Sequence, residues 1–384
     1  MTESSLTAFD YHVPTRIVFG SGRFDSLAEH SHSLGGRPLL VTGKNSARRI
    51  GALDHALSLL EHASVFDAVE ENPGTATCER AADMCRQLGC DHVIAIGGGS
   101  PMDVAKAVAG LAVNDGACAD HFGSGGLPNG ALPIIAVPTT AGTGSEVTPY
   151  SVLVDEASGT KRTITSKSIF PKVAILDPDL TKRLPRGVTI HSGLDVLSQA
   201  MEGIVSRKAT PVGDALALDA CRRVRKFLPR AARDGEDMEA RAEMLYASML
   251  SGCVIAQAGT TLVHGMGYYY TLACGVAHGL ANGLLLAPLF RHNAKHAPER
   301  VAPIVEVLGG NPKGDLAQEI TACLHGLFAE LEISPAAADH GVARGQLTVF
   351  AREVASDRYR FRNQIGEITE ALIYEFYEDS FQGV

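Results

Sequence analysis

Apolar and polar positions change rhythm about halfway along the chain. In the first half, short apolar runs alternate with amphipathic stretches. RPLLVTGKN (37–45) predicts a strand ending in a glycine turn, and HASVFDAV (62–69) predicts another after a helical stretch. CDHVIAIGGGS (90–100) is a strand running into a glycine loop, and PMDVAKAVAGLAV (101–113) reads as the helix that follows. LPIIAVPTTAGTGSE (132–146) is a further strand that ends in a loop of small residues. Strand, helix and strand at these spacings predict an open parallel sheet covered by helices, with ligands bound beyond the C-terminal strand ends.

From about Pro185 the texture becomes helical. SGLDVLSQAMEGIVS (192–206), PVGDALALDACRRVRKFL (211–228), ARAEMLYASMLSGCVIAQAG (240–259) and LAQEITACLHGLFAEL (316–331) carry it, and strand signals nearly vanish. The Pro-containing turn after VAILDPDLTKRLP marks the boundary. The expected organisation is a Rossmann-like α/β dinucleotide-binding domain over 1–185 and an all-helical, metal-binding catalytic domain over 186–384.

Composition narrows the function classes. At 384 residues the chain exceeds one ordinary core, and 45% hydrophobic with 20% charged residues is globular. A net charge of −9 without a basic block argues against nucleic acid. Eight cysteines without a C-x-x-C pair read as free thiols in a reducing compartment. The polar N-terminus lacks the apolar segment of a secretory signal, and no apolar run is long enough to span a bilayer. A cytoplasmic location away from membranes is therefore expected.

The loops carry the first chemistry. Gly97, Gly98, Gly99 and Ser100 follow a strand and open a helix with Pro101 in its first turn. Without Cβ atoms, this backbone can approach a pyrophosphate at a helix N-terminus. Pro138 to Glu146 adds hydroxyls and glycines at the end of a second strand, a poor core and a good ribose and phosphate surface.

The helical half holds the second set. Asp195 and Gln199 are four apart and share a helix face. His264 in LVHGMG and His278 in GVAHGL lie in apolar, glycine-flanked surroundings, where two imidazoles are costly to bury without a purpose.

GGGSPMDVAK (97–106), VPTTAGTGSEVT (137–148), KVAILDP (172–178), GLDVL (193–197) and HGLAN (278–282) together resemble the iron-containing, or group III, alcohol dehydrogenases. The resemblance runs through nearly the whole chain in the expected order. It implies a metal-dependent, NAD(P)-linked alcohol dehydrogenase or aldehyde reductase that is a homodimer or larger homo-oligomer. It also implies that Asp103, Thr139, Thr140, Ser145 and Lys161 line the cofactor and that Asn72 sits beside it.

NAD-preferring relatives place an aspartate after the strand PLLVT, where this chain has Gly43, then Lys44, Asn45 and Ser46. A glycine with a lysine and a hydroxyl nearby tolerates a 2′-phosphate, which favours NADP over NAD. Gly43 as a plain turn residue, with both cofactors accepted, is the alternative.

By the same resemblance Asp195, His264 and His278 match metal ligands for Fe²⁺ or Zn²⁺, and Gln199 stands where relatives have a fourth, a histidine. Two arrangements follow: an amide oxygen as the fourth ligand, or three ligands with Gln199 behind them. Tyr268 replaces a histidine that relays a proton, and acts as the catalytic acid or simply shapes the pocket.

The substrate is expected to be a small alcohol or aldehyde. Gln199, Tyr150 and Tyr268 reshape the pocket, and Arg360 and Arg362 would serve an anionic (phosphono-, sulfo- or carboxy-) aldehyde. The alternatives are a cofactor-binding superfamily member with an altered or lost metal site, and a metal-dependent cyclase of the dehydroquinate synthase type.

Overall fold

The computed structural model describes residues 8–384. The opening residues of the chain, on which the expected absence of a secretory signal rests in part, lie outside the described residues, as does the side chain of Arg360.

Residues Val13–Leu184 form one compact unit. It holds β1 (Arg16–Phe19), β2 (Pro38–Gly43), β3 (Ser64–Val69), β4 (His92–Gly97), β5 (Gly123–Ser124), β6 (Ile134–Pro138), β7 (Tyr150–Asp155), β8 (Thr160–Thr165) and β9 (Val173–Leu176). Six of them make an all-parallel sheet in the order β1-β9-β6-β4-β2-β3. Its inner strands are covered on both faces, which is why they read as continuous apolar runs rather than alternating ones.

Alternate side chains feed two cores. Leu39, Val41, Val93, Ala95 and Ala136 pack with helices Thr75–Gln87 and Gly99–Leu111. Leu40, Ile94, Ile96, Ile135 and Val137 pack with Leu27, Leu53 and Ala56 from the other face.

The strand–loop–helix unit predicted around the glycines is present as β4 and helix Gly99–Leu111. A three-stranded sheet, β5-β8-β7, is additional to the strands read from sequence; β7 and β8 pair antiparallel from Tyr150↔Thr165 to Asp155↔Thr160.

The second unit comprises residues 8–12 and Pro185–Val384, and among its described residues there is no strand. Residues 8–12 thus belong with the helices, although the chain before Pro185 was expected to be a single α/β domain. Paired hydrogen bonds hold them there: the Tyr11 hydroxyl donates to the Cys253 carbonyl (3.2 Å) and the Gln257 amide to the His12 carbonyl (2.8 Å). No single described helix is long and apolar enough to cross a membrane. All eight cysteines are free.

Three helices matter for the site: Arg186–Val205, Leu262–Cys274 and His278–His296. Gly275, in the left-handed region at φ 72°, ends the second and turns the chain into the third. A Cβ on Gly279 would collide with the His191 carbonyl and the Asp195 side chain. Glycine therefore lets helix His278–His296 begin hard against helix Arg186–Val205.

Candidate metal centre and glycine loops

The fourteen-residue spacing of the histidines is one helix plus its turn. His264 is the third residue of helix Leu262–Cys274 and His278 opens the next helix. Both ring ends meet Asp195 midway along helix Arg186–Val205. His264 Nε2 is 3.4 Å and His278 Nε2 3.8 Å from Asp195 Oδ1. One ligand atom from each of the three residues falls within 4.8 Å of the others. The two rings meet edge to face at 5.4 Å.

Asp195 and His264 are buried, whereas the His278 side chain keeps 28% of its surface and marks the open side. Burial works against the Asp195 carboxylate, but His278, His264 and Asn282 outweigh it and hold its pKa below the usual range. Burial likewise pulls His264 down, and Glu202 and Asp195 overcome it, pushing the ring to about 10.

These residues fit a divalent ion. Two imidazole nitrogens and a carboxylate oxygen are ordinary Zn²⁺ or Fe²⁺ donors, and donors about 2.0–2.2 Å from one ion are mutually only a few ångströms apart.

Gln199 faces the cluster with its nitrogen. Its Nε2 donates to Asp195 Oδ2 (3.0 Å), while its Oε1 accepts from the Ser251 hydroxyl (2.8 Å). A carboxylate can only accept, so this orientation is fixed chemically. Asn282 Nδ2 donates to the other oxygen, Oδ1, at 3.0 Å. Tyr268 lies parallel to His278, with ring centroids 5.4 Å apart and planes at 11°.

Three contributors were not singled out from sequence: Asn282, Ser251 and Glu202. Glu202 is fully buried, and a signal for it existed. It lies seven residues after Asp195, two helical turns along the same face, in an otherwise apolar stretch.

In the α/β unit, β2, β4 and β6 end side by side, with Thr42 opposite Ile96 and Gly97 opposite Pro138. Their C-terminal turns bring Gly43, Gly97–Ser100 and Thr139–Thr143 together. The Thr139 amide donates to the Gly97 carbonyl (2.9 Å). A Cβ on Gly98 would stand 3.2 Å from Thr140 Oγ1, and one on Gly99 2.9 Å from Thr143 Cγ2. Helix Gly99–Leu111 has no side-chain cap, so its first amides are left to a ligand or water.

Lys106, from the same helix, is buried beneath the second loop. It donates to the Ser145 carbonyl (2.6 Å), Ser145 Oγ (2.8 Å), Thr148 Oγ1 (3.0 Å) and the Tyr150 carbonyl (2.9 Å). Burial lowers its pKa to about 8 against the pull of Asp103 and Glu146. Burial raises both acids to about 7. Lys161 is close enough to Asp103 to oppose that rise.

Lys44 and Ser46 are exposed beside Gly43. Asn72 stands exposed in a left-handed turn (φ 51°) after β3. Arg362 is exposed and laid over the Tyr359 ring at 3.4 Å, so its guanidinium is engaged at the surface.

Comparison with known proteins shows the family. The sequence model described as iron-containing alcohol dehydrogenase matches residues 14–178, and that of the Fe-containing alcohol dehydrogenase family, C-terminal, matches 189–381. The 1,3-propanediol dehydrogenase of Klebsiella pneumoniae is 35% identical over 369 residues, covering 94% of this chain and 95% of that one. The NAD-dependent methanol dehydrogenase of Bacillus methanolicus is 30% identical, covering 91% and 93%. The structure of sulfoacetaldehyde reductase from Bifidobacterium kashiwanohense in complex with NAD⁺ superposes with a TM-score of 0.90 at 33% identity, covering 98% and 99%.

Proposed function

Because this chain belongs to the iron-containing alcohol dehydrogenase family and is a nicotinamide-linked oxidoreductase acting on CH–OH groups, we propose that it interconverts a small alcohol and its aldehyde at a divalent metal held by Asp195, His264 and His278. The observation that carries this reading is the convergence of those three donors within 4.8 Å, with only His278 half open. Fe²⁺ or Zn²⁺ held there would supply Lewis acidity for the substrate oxygen, and a nicotinamide held at the glycine loops would supply the hydride chemistry.

The chain's own residues prepare that step. Gln199 and Asn282 each hold one oxygen of Asp195 and fix the carboxylate's rotation. Tyr268 flanks His278 on its ring face, within one residue of the centre, and in this reading its Oη passes the proton between substrate oxygen and solvent. Gly97–Ser100 and Thr139–Thr140 cradle the cofactor phosphates. Lys44 and Ser46 beside Gly43, with no carboxylate on that turn, favour NADP(H).

Within the class we extend the reading to aldehydes carrying an anionic group. Likeness to a sulfoacetaldehyde reductase supports this.

The deciding experiment is metal analysis of the purified protein with aldehyde reduction by NADPH and NADH before and after chelation. The panel includes propionaldehyde, sulfoacetaldehyde and phosphonoacetaldehyde. Activity that falls on chelation and returns with Fe²⁺ or Zn²⁺ is expected. A metal-free protein of unchanged activity would overturn the metal reading and leave Tyr268 as the acid.

A further inference from the structure

The buried carboxylate of Glu202 divides its two oxygens between two tasks. Oε1 accepts from the Thr261 amide (2.8 Å), the Thr261 hydroxyl (2.7 Å) and the His264 amide (3.3 Å). Thr261 is the N-cap of helix Leu262–Cys274 and His264 its third residue, so Oε1 caps that helix from outside, through orphan amides that no side chain of the helix satisfies. Oε2 has a single partner, His264 Nδ1. Glu202 is fully buried and comes from helix Arg186–Val205, the element that also carries Asp195 and Gln199.

We propose that Glu202 is a positioning residue of the metal centre: capping through Oε1 locks its carboxylate in place, and Oε2 holds the proton of His264 on Nδ1, so that Nε2 is the nitrogen left to ligate. The inference rests on the metal reading above.

A carboxylate offers only acceptors, so the nitrogen facing Oε2 must carry hydrogen. The other nitrogen, Nε2, faces Asp195 Oδ1, and an ion bound between them would displace the Nε2 proton while Oε2 keeps the one on Nδ1. Hydrogen-bonded carboxylates behind ligating histidines fix the tautomer and the ring orientation in this way. The capping role and the tautomer role sit on different oxygens, so one substitution can separate them.

That substitution is Glu202→Gln. Two backbone amides on the capping side can only donate and demand an acceptor, which sets the amide oxygen there and turns the NH₂ towards His264 Nδ1. Nδ1 must then accept, and the ring proton moves to Nε2, where it blocks ligation. Reversing the amide would set its NH₂ against two backbone N–H groups, which is worse. Thr261→Ala is the control, because it removes one capping bond and leaves Oε2 untouched.

Zinc affinity, measured by competition with a chromogenic chelator, is the first readout, with the melting curve beside it. Glu202→Gln is expected to melt close to the unsubstituted protein and to bind zinc about 10–100-fold more weakly. Its Co²⁺ absorption should show the loss of one nitrogen donor. Thr261→Ala should keep near-normal affinity and lose some stability. Normal zinc affinity in Glu202→Gln would overturn the inference, as would equal losses of affinity in both variants.

Should Glu202→Gln fail to fold, nitrogen-15 spectra of histidine-labelled, zinc-loaded unsubstituted protein decide instead. A protonated Nδ1 and a metal-bound Nε2 on His264 support the assignment; ligation through Nδ1 overturns it. An unsubstituted protein that takes up no zinc and no iron would instead sink the metal reading, and this inference with it, without reference to any variant.

Discussion

Lys106→Met is the substitution whose consequence the structure defines most fully. Methionine keeps the length and apolar character of the stem, so packing within helix Gly99–Leu111 changes little. What disappears is the ammonium and its bonds to two carbonyls and two hydroxyls of the loop at 145–150. Those carbonyls and hydroxyls lose their donor, and Asp103 and Glu146 lose the cation that offsets their burial. Breaking a buried charge cluster by removing one member costs about 3–5 kcal/mol. For a unit of this size that is a fall of roughly 6–20 °C in melting temperature.

The deficit should also depend on pH, and its sign can be worked out. In the unsubstituted protein the two acids ionise near pH 7, beside Lys106. Without the lysine their pKa values climb further, so the folded variant keeps both protons where its unfolded chain has lost them. Holding protons that the unfolded state releases becomes costlier as pH rises. The gap between variant and parent should therefore widen from pH 7 to 8 and narrow towards pH 6. Calorimetric melting at pH 6 and 8 is the assay. A deficit below about 1 kcal/mol at pH 8, the worth of a single ordinary hydrogen bond, would refute the account, and so would a deficit larger at pH 6.

Two other expectations concern specificity and acid stability. A Cβ on Gly43 would have nothing closer than 3.6 Å, so Gly43→Asp fits without strain. Its carboxylate should cost NADPH about 2 kcal/mol against the 2′-phosphate, lowering the NADPH to NADH ratio of kcat/KM roughly thirtyfold; an unchanged ratio would place the adenosine ribose elsewhere. His292, held near pKa 4 by burial and by His296 at 4.2 Å, stays neutral in the folded protein while the unfolded chain protonates near 6.5. Its contribution is complete above pH 6.5 and lost as pH falls towards 4. His292→Gln should therefore flatten the decline in melting temperature over that window, by about 1–2 kcal/mol for a half-buried ring; a parallel decline in both proteins would exclude the role.

The parallel sheet was legible because double burial leaves a mark on sequence: VIAIG and PIIAVP are apolar at every position. The β7–β8 hairpin was not, because the five residues after Thr160 are mostly polar, KRTIT, and its pairing depends on tertiary context. Residues 8–12 join the helices through contacts to Cys253 and Gln257, more than two hundred residues away, which no local pattern encodes. In the candidate site, Asp195, His264 and His278 stood out as metal-binding residue types in apolar segments. Lys106 and Asn282 did not, because each is recognisable only by its partner, and Glu202 carried only its helical spacing from Asp195 as a signal. Charge in a sequence reads as surface until a structure supplies the counter-group that makes burial affordable.

Gln199 illustrates how far residue type alone can go. In sequence it is equally a weak fourth ligand or a residue behind three stronger ones. In this structure hydrogen-bond polarity orients the amide. Asp195 Oδ2 and the Ser251 hydroxyl bracket the amide, and only a nitrogen can face the carboxylate. For its oxygen to ligate, Gln199 would have to flip, surrendering the Asp195 bond and leaving Oδ2 without the donor it has now. The arrangement therefore stiffens Asp195, and a metal held by Asp195, His264 and His278 as proposed would keep open to the substrate oxygen the position the amide does not take. A substituted ligand need not be a lost site when its replacement holds a neighbouring ligand in place.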